Sequence, residues 1–340
     1  MINKRFIFSK LLNFIFISDL LAKYGSRQIL IVLAYHRIYD KEKEFLFDDE
    51  VISATPENFE KQLKFIKRYF SVITMTELYQ YCICGIDLPK NPVMITFDDG
   101  YRDNYYNAFK LLQKYNLKAT FFISTDYVES RDMFWWDKVA YIVKSSKIGS
   151  IKLSYPYKME YDIRTIDTKL RAIKELLKVI KTTYNFDLKL FIHELASSAK
   201  TYLDDSDYIS YETILSWAEI KEMKQAGMDI GSHTKTHRVL SNLTEDDLFE
   251  ELSGSKNILE YHLSQPICSI SYPVGGSNSF NQKVQESVER CGYSLAFSYG
   301  TGMNRFGITI DPFNIKRVGV DAIPISYLKL IMTMPSIYNF

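Results

Sequence analysis

The chain has 340 residues, with 42 Lys and Arg against 41 Asp and Glu and a net charge of +1. That balance creates no field to gather nucleic acid or anionic lipid, and 46% hydrophobic with 15% aromatic content excludes a disordered polymer. Four cysteines (Cys82, Cys84, Cys268, Cys291) are too few to staple a chain this long, and the length allows two domains or one α/β barrel with insertions.

Residues 1–28 are expected to form an N-terminal helix. Its stretch 5–23 is rich in Phe, Ile and Leu, but Lys10 and Asp19 leave an apolar centre too short to span a bilayer. It either packs on the domain or lies in the plane of a membrane as an amphipathic helix. No small-x-small cleavage site follows it, so the expected location is the cytoplasm or the inner membrane surface.

From Ile29 onward, strand-like apolar runs alternate with helical patterns, which predicts an α/β fold with a mostly parallel sheet. Ile29–Tyr35 is a continuous apolar, largely β-branched run suited to a strand buried on both faces. A helix starts at Thr55-Pro56, with Thr55 as N-cap and Phe59, Leu63, Ile66 and Phe70 as its buried stripe. Strands follow at Val93–Phe97 and Ala119–Ser124, with a helix between them at Tyr105–Tyr115. Residues 130–210 break this rhythm as a mainly helical insertion or cap. Alternation resumes with helix Trp217–Ala226, strand Met228–Gly231, helix Thr244–Leu263 and strand Cys268–Tyr272. Further units fall at Phe280–Cys291, Ser294–Ser298 and Ile315–Val320. Residues 29–129 and 211–325 thus form the main domain, and 326–340 a C-terminal tail.

Three motifs sit where predicted strands end. In Thr96-Phe97-Asp98-Asp99-Gly100, a glycine tolerant of unusual backbone angles can turn both carboxylates toward one cavity. In α/β barrels that rim is where active sites are built, although Asp-Asp-Gly also suits a plain cap and turn. His233 and His237 are four residues apart, the spacing that puts two imidazoles on one side of a helical turn. With Asp99 they offer two nitrogens and one oxygen, a usual set for a catalytic divalent ion with an open position for water. Ser271-Tyr272-Pro273-Val274-Gly275-Gly276 forms a fixed turn whose backbone N–H groups can receive an oxyanion, or a simple strand-to-helix connection. Trp135 and Trp136 supply either a flat apolar platform for a pyranose or core packing and a lid contact. Arg102 and Asp103 line the cavity or start a helix, while His193 and His262 are structural or exposed.

Together these pieces resemble the polysaccharide deacetylases with a NodB-homology domain, carbohydrate esterase family 4. The resemblance rests on T-F-D-D-G (Thr96–Gly100), H-[ST]-x-x-H (His233–His237) and a P-x-G turn (Pro273–Gly275), and covers about 29–129 and 211–320. It implies a distorted (β/α) barrel and a hydrolase acting on carbon–nitrogen bonds other than peptide bonds. The substrate class it implies is an N-acetylated saccharide of a cell-envelope polysaccharide or its lipid-linked precursor.

Residue by residue, the resemblance implies Asp98 as general base, Asp99, His233 and His237 as metal ligands, and the Val274 N–H, with Tyr272 beside it, at the oxyanion or substrate. The ligand set points to Zn2+, with Co2+, Ni2+ or Mn2+ as alternatives, and the nucleophile would be a water activated by that ion. Two positions depart from the family pattern. Ser271 stands where an arginine commonly orients the base, and Arg317 on a late strand is the candidate to replace it. No histidine follows His262, so His36, ending the first strand, is the candidate acid in a permuted order; otherwise it is a buried, hydrogen-bonded residue. These departures also leave open a catalytically silent sugar-binding or scaffold protein.

Overall fold

The computed structural model describes residues 17–24, 29–41, 45–201, 213–306 and 309–334. Its framework is a mixed α/β fold around a curled, barrel-like sheet. The strands run in the order Leu295–Phe297, Ser269–Ser271, Asp229–Ser232, Thr120–Ile123, Pro92–Phe97, Ile29–Tyr35 and Asn304–Arg305. Val318–Gly319 also pairs with Ile29–Tyr35, and Ser71–Val72 with Pro92–Phe97. All pairings in this sheet are parallel except that of Asn304–Arg305.

The run Ile29–Tyr35 is covered on both faces, as its composition predicts. Ile31, Leu33 and Tyr35 join one apolar cluster with Ile95, Phe97 and Phe121, while Leu30 and Val32 join Met94, Phe122 and Phe297 on the opposite face. This is the period-2 alternation of a pleated strand with apolar layers above and below. Register then decides what meets at the rim. Tyr35 pairs with Phe97, Ile123 with Ser232, and Ser232 with Ile270, so His36, Asp98 and His233, just beyond their strands, and Ser271, the last residue of its own, emerge side by side.

The segment expected as an insertion contains helices Trp135–Ser145, Ile166–Thr182 and Leu188–Ala199, plus the antiparallel pair Ser150–Leu153 and Met159–Asp162. Its apolar residues belong to the same cluster as Phe97 and Tyr101. The stretch read as a C-terminal tail is instead helical over Ile325–Thr333, because Leu328, Ile331 and Met332 form an apolar face that is buried. That helix packs on Ile17–Tyr24 and Pro56–Tyr69, and Lys329 Nζ reaches Asp19 at 2.8 Å. Residues 5–16, most of the expected amphipathic stretch, lie outside the described residues. Among those described, no helix is long and apolar enough to cross a membrane.

Helix Trp135–Ser145 is anchored through a buried acid. Asp137 accepts the Asp48 N–H at 2.9 Å on Oδ1 and the Tyr101 hydroxyl at 2.8 Å on Oδ2. The Arg37 guanidinium lies over the Tyr101 ring and pairs with Asp103 at 2.8 Å. Burial is the largest influence on Asp137, and neither the Arg37 charge nor the two donors offset it, so its carboxyl is pushed up from 3.8 to about 7. The folded chain therefore holds a proton that the unfolded chain releases near pH 4. This contribution is complete below pH 4 and is lost as pH rises toward 7, with a slope of at most about 1.4 kcal/mol per pH unit. Denaturant unfolding between pH 4.5 and 7 is expected to show stability falling with rising pH more steeply in the wild type than in Asp137→Asn, the two slopes differing by at most about 1.4 kcal/mol per pH unit; identical slopes would refute the assignment.

Candidate active site

The rim is shaped by backbone conformations that most side chains avoid. Strand Pro92–Phe97 ends in Asp98, whose N–H bonds the Tyr35 carbonyl at 2.9 Å. Asp99 then turns left-handed at φ 77°, followed by Gly100 at φ 99°. The turn therefore begins one residue before the glycine, and it brings both carboxylates to one cavity of about 550 Å3, each with 2% of its surface exposed. His233 and His237 occupy an irregular loop after strand Asp229–Ser232, not the helical turn that their spacing suggests. Thr234 at φ 64° and His237 at φ 58° break any helix there, and this reversal swings the second imidazole back beside the first. Non-glycine residues at positive φ carry strain that persists where the surroundings over-determine it, typically at functional sites.

Asp99 Oδ1 lies 3.4 Å from His233 Nε2 and 3.5 Å from His237 Nε2. It is buried and accepts no hydrogen bond among the described residues. Ligands at the usual 2.0–2.2 Å from a tetrahedral ion stand about 3.4 Å apart, so these three atoms fit a divalent cation. The tautomer fits as well, because His233 Nδ1 faces the Ser271 carbonyl at 2.8 Å and donates to it, leaving the Nε2 lone pair for a metal. Burial is the largest influence on His237 and pushes it down to about 3, so its imidazole is neutral.

Asp98 is bound differently. Arg317 reaches it with both arms, Nη1 to Oδ1 at 2.8 Å and Nη2 to Oδ2 at 2.7 Å. The guanidinium is itself fully buried and also donates to Thr96 Oγ1, Ser271 Oγ and the Ser298 carbonyl. Ser271 Oγ in turn donates to Asp98 Oδ2 at 3.2 Å. Burial opposes the charge on Asp98, but the Arg317 charge and its hydrogen bonds outweigh it and hold the carboxyl well below its usual range. A short serine at position 271 leaves the space that Arg317 fills, not from within a late strand but from the irregular residues just before strand Val318–Gly319.

His36 borders the same cavity, its ring 5.1 Å from that of Tyr299. Its Nδ1 is buried without a hydrogen-bond partner among the described residues. Its backbone is fixed by Ser53 Oγ, which accepts its N–H, and by Asn104 Nδ2, which donates to its carbonyl. Val274 lines the cavity at φ 64°. Gly275 follows at φ 64°, where a Cβ would stand 2.5 Å from Tyr299 Cβ, so this close turn needs glycine. Tyr272 also lines the cavity, with its ring stacked on Phe280 and its hydroxyl donating to the Phe313 carbonyl.

Trp135 and Trp136 are nearly buried, which disfavours the open sugar platform. Trp136 lies against Phe134 and, at 4.5 Å, against His237, while its indole N–H donates to Tyr101. Trp135 donates to the His237 carbonyl at 3.3 Å. Both brace the second imidazole from behind. Arg102 and Asp103 turn away into ion pairs with Glu219 and Arg37. His262 stacks on Trp217 and meets Glu129, and His193 is exposed.

Sequence reasoning did not find Lys181 from helix Ile166–Thr182, the segment Asp48–Ile52, or Tyr299 with its partner Asp321, all of which line the cavity. None belongs to a local motif. For Tyr299, the close glycine turn at Gly275 is the one signal that a bulky neighbour must approach. The assembled site combines three atoms placed to hold a cation, an ionised carboxylate and a histidine around one cleft, the equipment to polarise a carbonyl and move protons.

The chain is also similar to known proteins. The sequence matches the family model described as "Polysaccharide deacetylase" over residues 85–191 and 165–296. It is 24% identical over 247 residues to the poly-β-1,6-N-acetyl-D-glucosamine N-deacetylase of Staphylococcus epidermidis, covering 65% of this chain and 81% of that one. It is 25% identical over 210 residues to YxkH of Bacillus subtilis, covering 62% of this chain but only 45% of YxkH. Among solved structures, the Streptococcus pyogenes deacetylase PplD in complex with acetate superposes with a TM-score of 0.59 at 20% identity, covering 90% of this chain and 98% of that one; this likeness concerns the fold.

Removing one member of a buried ion pair leaves the other unpaired. Arg317→Met is expected to lower stability by about 3–5 kcal/mol, and adding Asp98→Asn in the same chain should recover much of the loss. Urea unfolding of the two single variants and the double variant measures this, and simple additivity would contradict the pairing.

Proposed function

Given that the chain belongs to the polysaccharide deacetylase family, a class of N-deacetylating hydrolases, we propose that it uses a divalent cation to remove N-acetyl groups from amino sugars of a surface polysaccharide or its lipid-linked precursor. The observation that carries this reading is the convergence of Asp99, His233 and His237 beside an Asp98 held ionised by Arg317. The poly-β-1,6-N-acetyl-D-glucosamine N-deacetylase among the relatives supports an N-acetylated saccharide as substrate. Zn2+ suits the two-nitrogen, one-oxygen ligand set, with Co2+, Ni2+ and Mn2+ as alternatives.

The roles follow from position. Asp99, His233 and His237 would hold the ion, which when bound supplies positive charge to polarise the acetamide carbonyl and acidify the attacking water. Asp98, fixed by Arg317, accepts the proton that water loses as its oxygen bonds to the carbonyl carbon. The Val274 N–H, in the rigid left-handed turn before Gly275, faces the oxygen that gains charge. As the carbon–nitrogen bond breaks, His36 across the cavity donates a proton to the departing amine, giving acetate and a free amino sugar. Tyr272 and Tyr299 wall the cleft around the reacting group.

Acetate release from N-acetylated oligosaccharides, with and without chelator, tests this reading. Chelation should abolish turnover and added Zn2+ should restore it. Asp98→Asn should keep its metal and lose activity by roughly 10²–10⁴-fold, the usual weight of a general base. His36→Ala should behave alike, and full activity in either variant would remove that residue from its role.

A further inference from the structure

The peptide linking the two histidines is held by a residue that the proposed chemistry does not use. Lys235 N–H and Thr236 N–H both donate to Glu251 Oε2 at 2.9 Å, and the Thr236 hydroxyl donates to Glu251 Oε1. Glu251 is 4% exposed and lies in Glu250–Gly254, a π-wound stretch of the long helix that packs behind the loop. Such bulges are frequent at functional sites because they re-aim side chains. Neighbouring Lys235 Nζ turns instead to Glu250 at 2.5 Å. The same turn of helix is tied to the sheet, since Ser255 Oγ donates to the Glu251 carbonyl and meets Ser232 Oγ at 2.8 Å.

The loop needs this support because it is not regular structure. Thr234 and His237 are both left-handed, a conformation that a β-branched residue in particular disfavours. No helical hydrogen bond fixes the distance between the two imidazoles. The Thr234 N–H reaches Ser232 Oγ and the His237 N–H reaches Thr234 Oγ1. The two amides between them converge on one carboxylate oxygen, as donors do around a bound anion.

We infer that Glu251 is a positioning residue for the metal site, an internal anion that folds the His233–His237 peptide into the curve bringing both Nε2 atoms to Asp99. The inference rests on the reading of Asp99, His233 and His237 as metal ligands. Glu251 does not line the cavity and is not one of the three candidate ligands, so its effect should appear first in metal affinity.

Zn2+ dissociation constants of the full chain, measured by competition with a chromophoric chelator well below the melting temperature of the apo-protein, give the test. Glu251→Met keeps the volume and removes every acceptor, and should weaken Zn2+ binding by roughly 10–100-fold, as loss of groups that orient metal ligands does. Glu251→Gln retains an oxygen for the two amides and should recover most of that affinity. Wild-type affinity in folded Glu251→Met, even with a lowered melting temperature, would overturn the inference, and so would equal losses in the two variants. Should Glu251→Met fail to fold, Thr236→Val removes the hydroxyl bond alone and should weaken Zn2+ severalfold; unchanged binding would again overturn the inference. Failure of the wild type to bind Zn2+ would instead sink the metal-site reading on which it stands.

Discussion

A carboxylate with 2% of its surface exposed stays charged only when a cation stands against it, and for Asp98 that cation is Arg317. The rest of the site is arranged around this pair. Thr96, Ser271 and the Ser298 carbonyl use the remaining guanidinium donors, so the cation is satisfied without solvent. Asp99, one residue along, faces the opposite task of offering a bare oxygen. Two adjacent acids thus acquire different characters from their surroundings, one saturated by an arginine and one left open to a metal.

The backbone carries the cost of this arrangement. Asp99, His237 and Val274, which line the cavity, and Thr234, next to His233, all adopt left-handed conformations. Parallel strands in register deliver the chain to the rim, and the strained residues then fold it sharply inward. The surroundings resist relaxation through Glu251 under the histidine loop, Trp135 and Trp136 behind His237, and Tyr299 against the Gly275 turn. Strain held by packing is a form of pre-organisation, because the groups need not move when charge develops.

Much of this was legible in the amino-acid order. Alternating apolar runs located the strands, and the motifs around Asp98, His233 and Val274 fell at strand ends because local composition signals both. What escaped was non-local or conformational. Spacing alone suggested a helical turn for His233 and His237, since four-residue spacing is shared by a helix and by a left-handed loop. For Trp135 and Trp136 the sequence leaves a sugar platform and core packing equally open, because composition does not say which face of a ring is covered. The helix Ile325–Thr333 is not legible as one because its apolar face makes sense only against helices more than 250 residues away. Arg317 stands 219 residues from Asp98, and it was found by asking what cation could replace the one missing at Ser271. Lys181 and the segment Asp48–Ile52 carry no such vacancy to point at them.

The most direct measurement is a crystal structure of the Zn2+-loaded protein with anomalous data collected at the zinc edge. The account predicts one strong peak within bonding distance of Asp99 Oδ1, His233 Nε2 and His237 Nε2, with Asp98 still clasped by both arms of Arg317. A peak elsewhere, or Asp98 released from Arg317 to bind the ion, would contradict it.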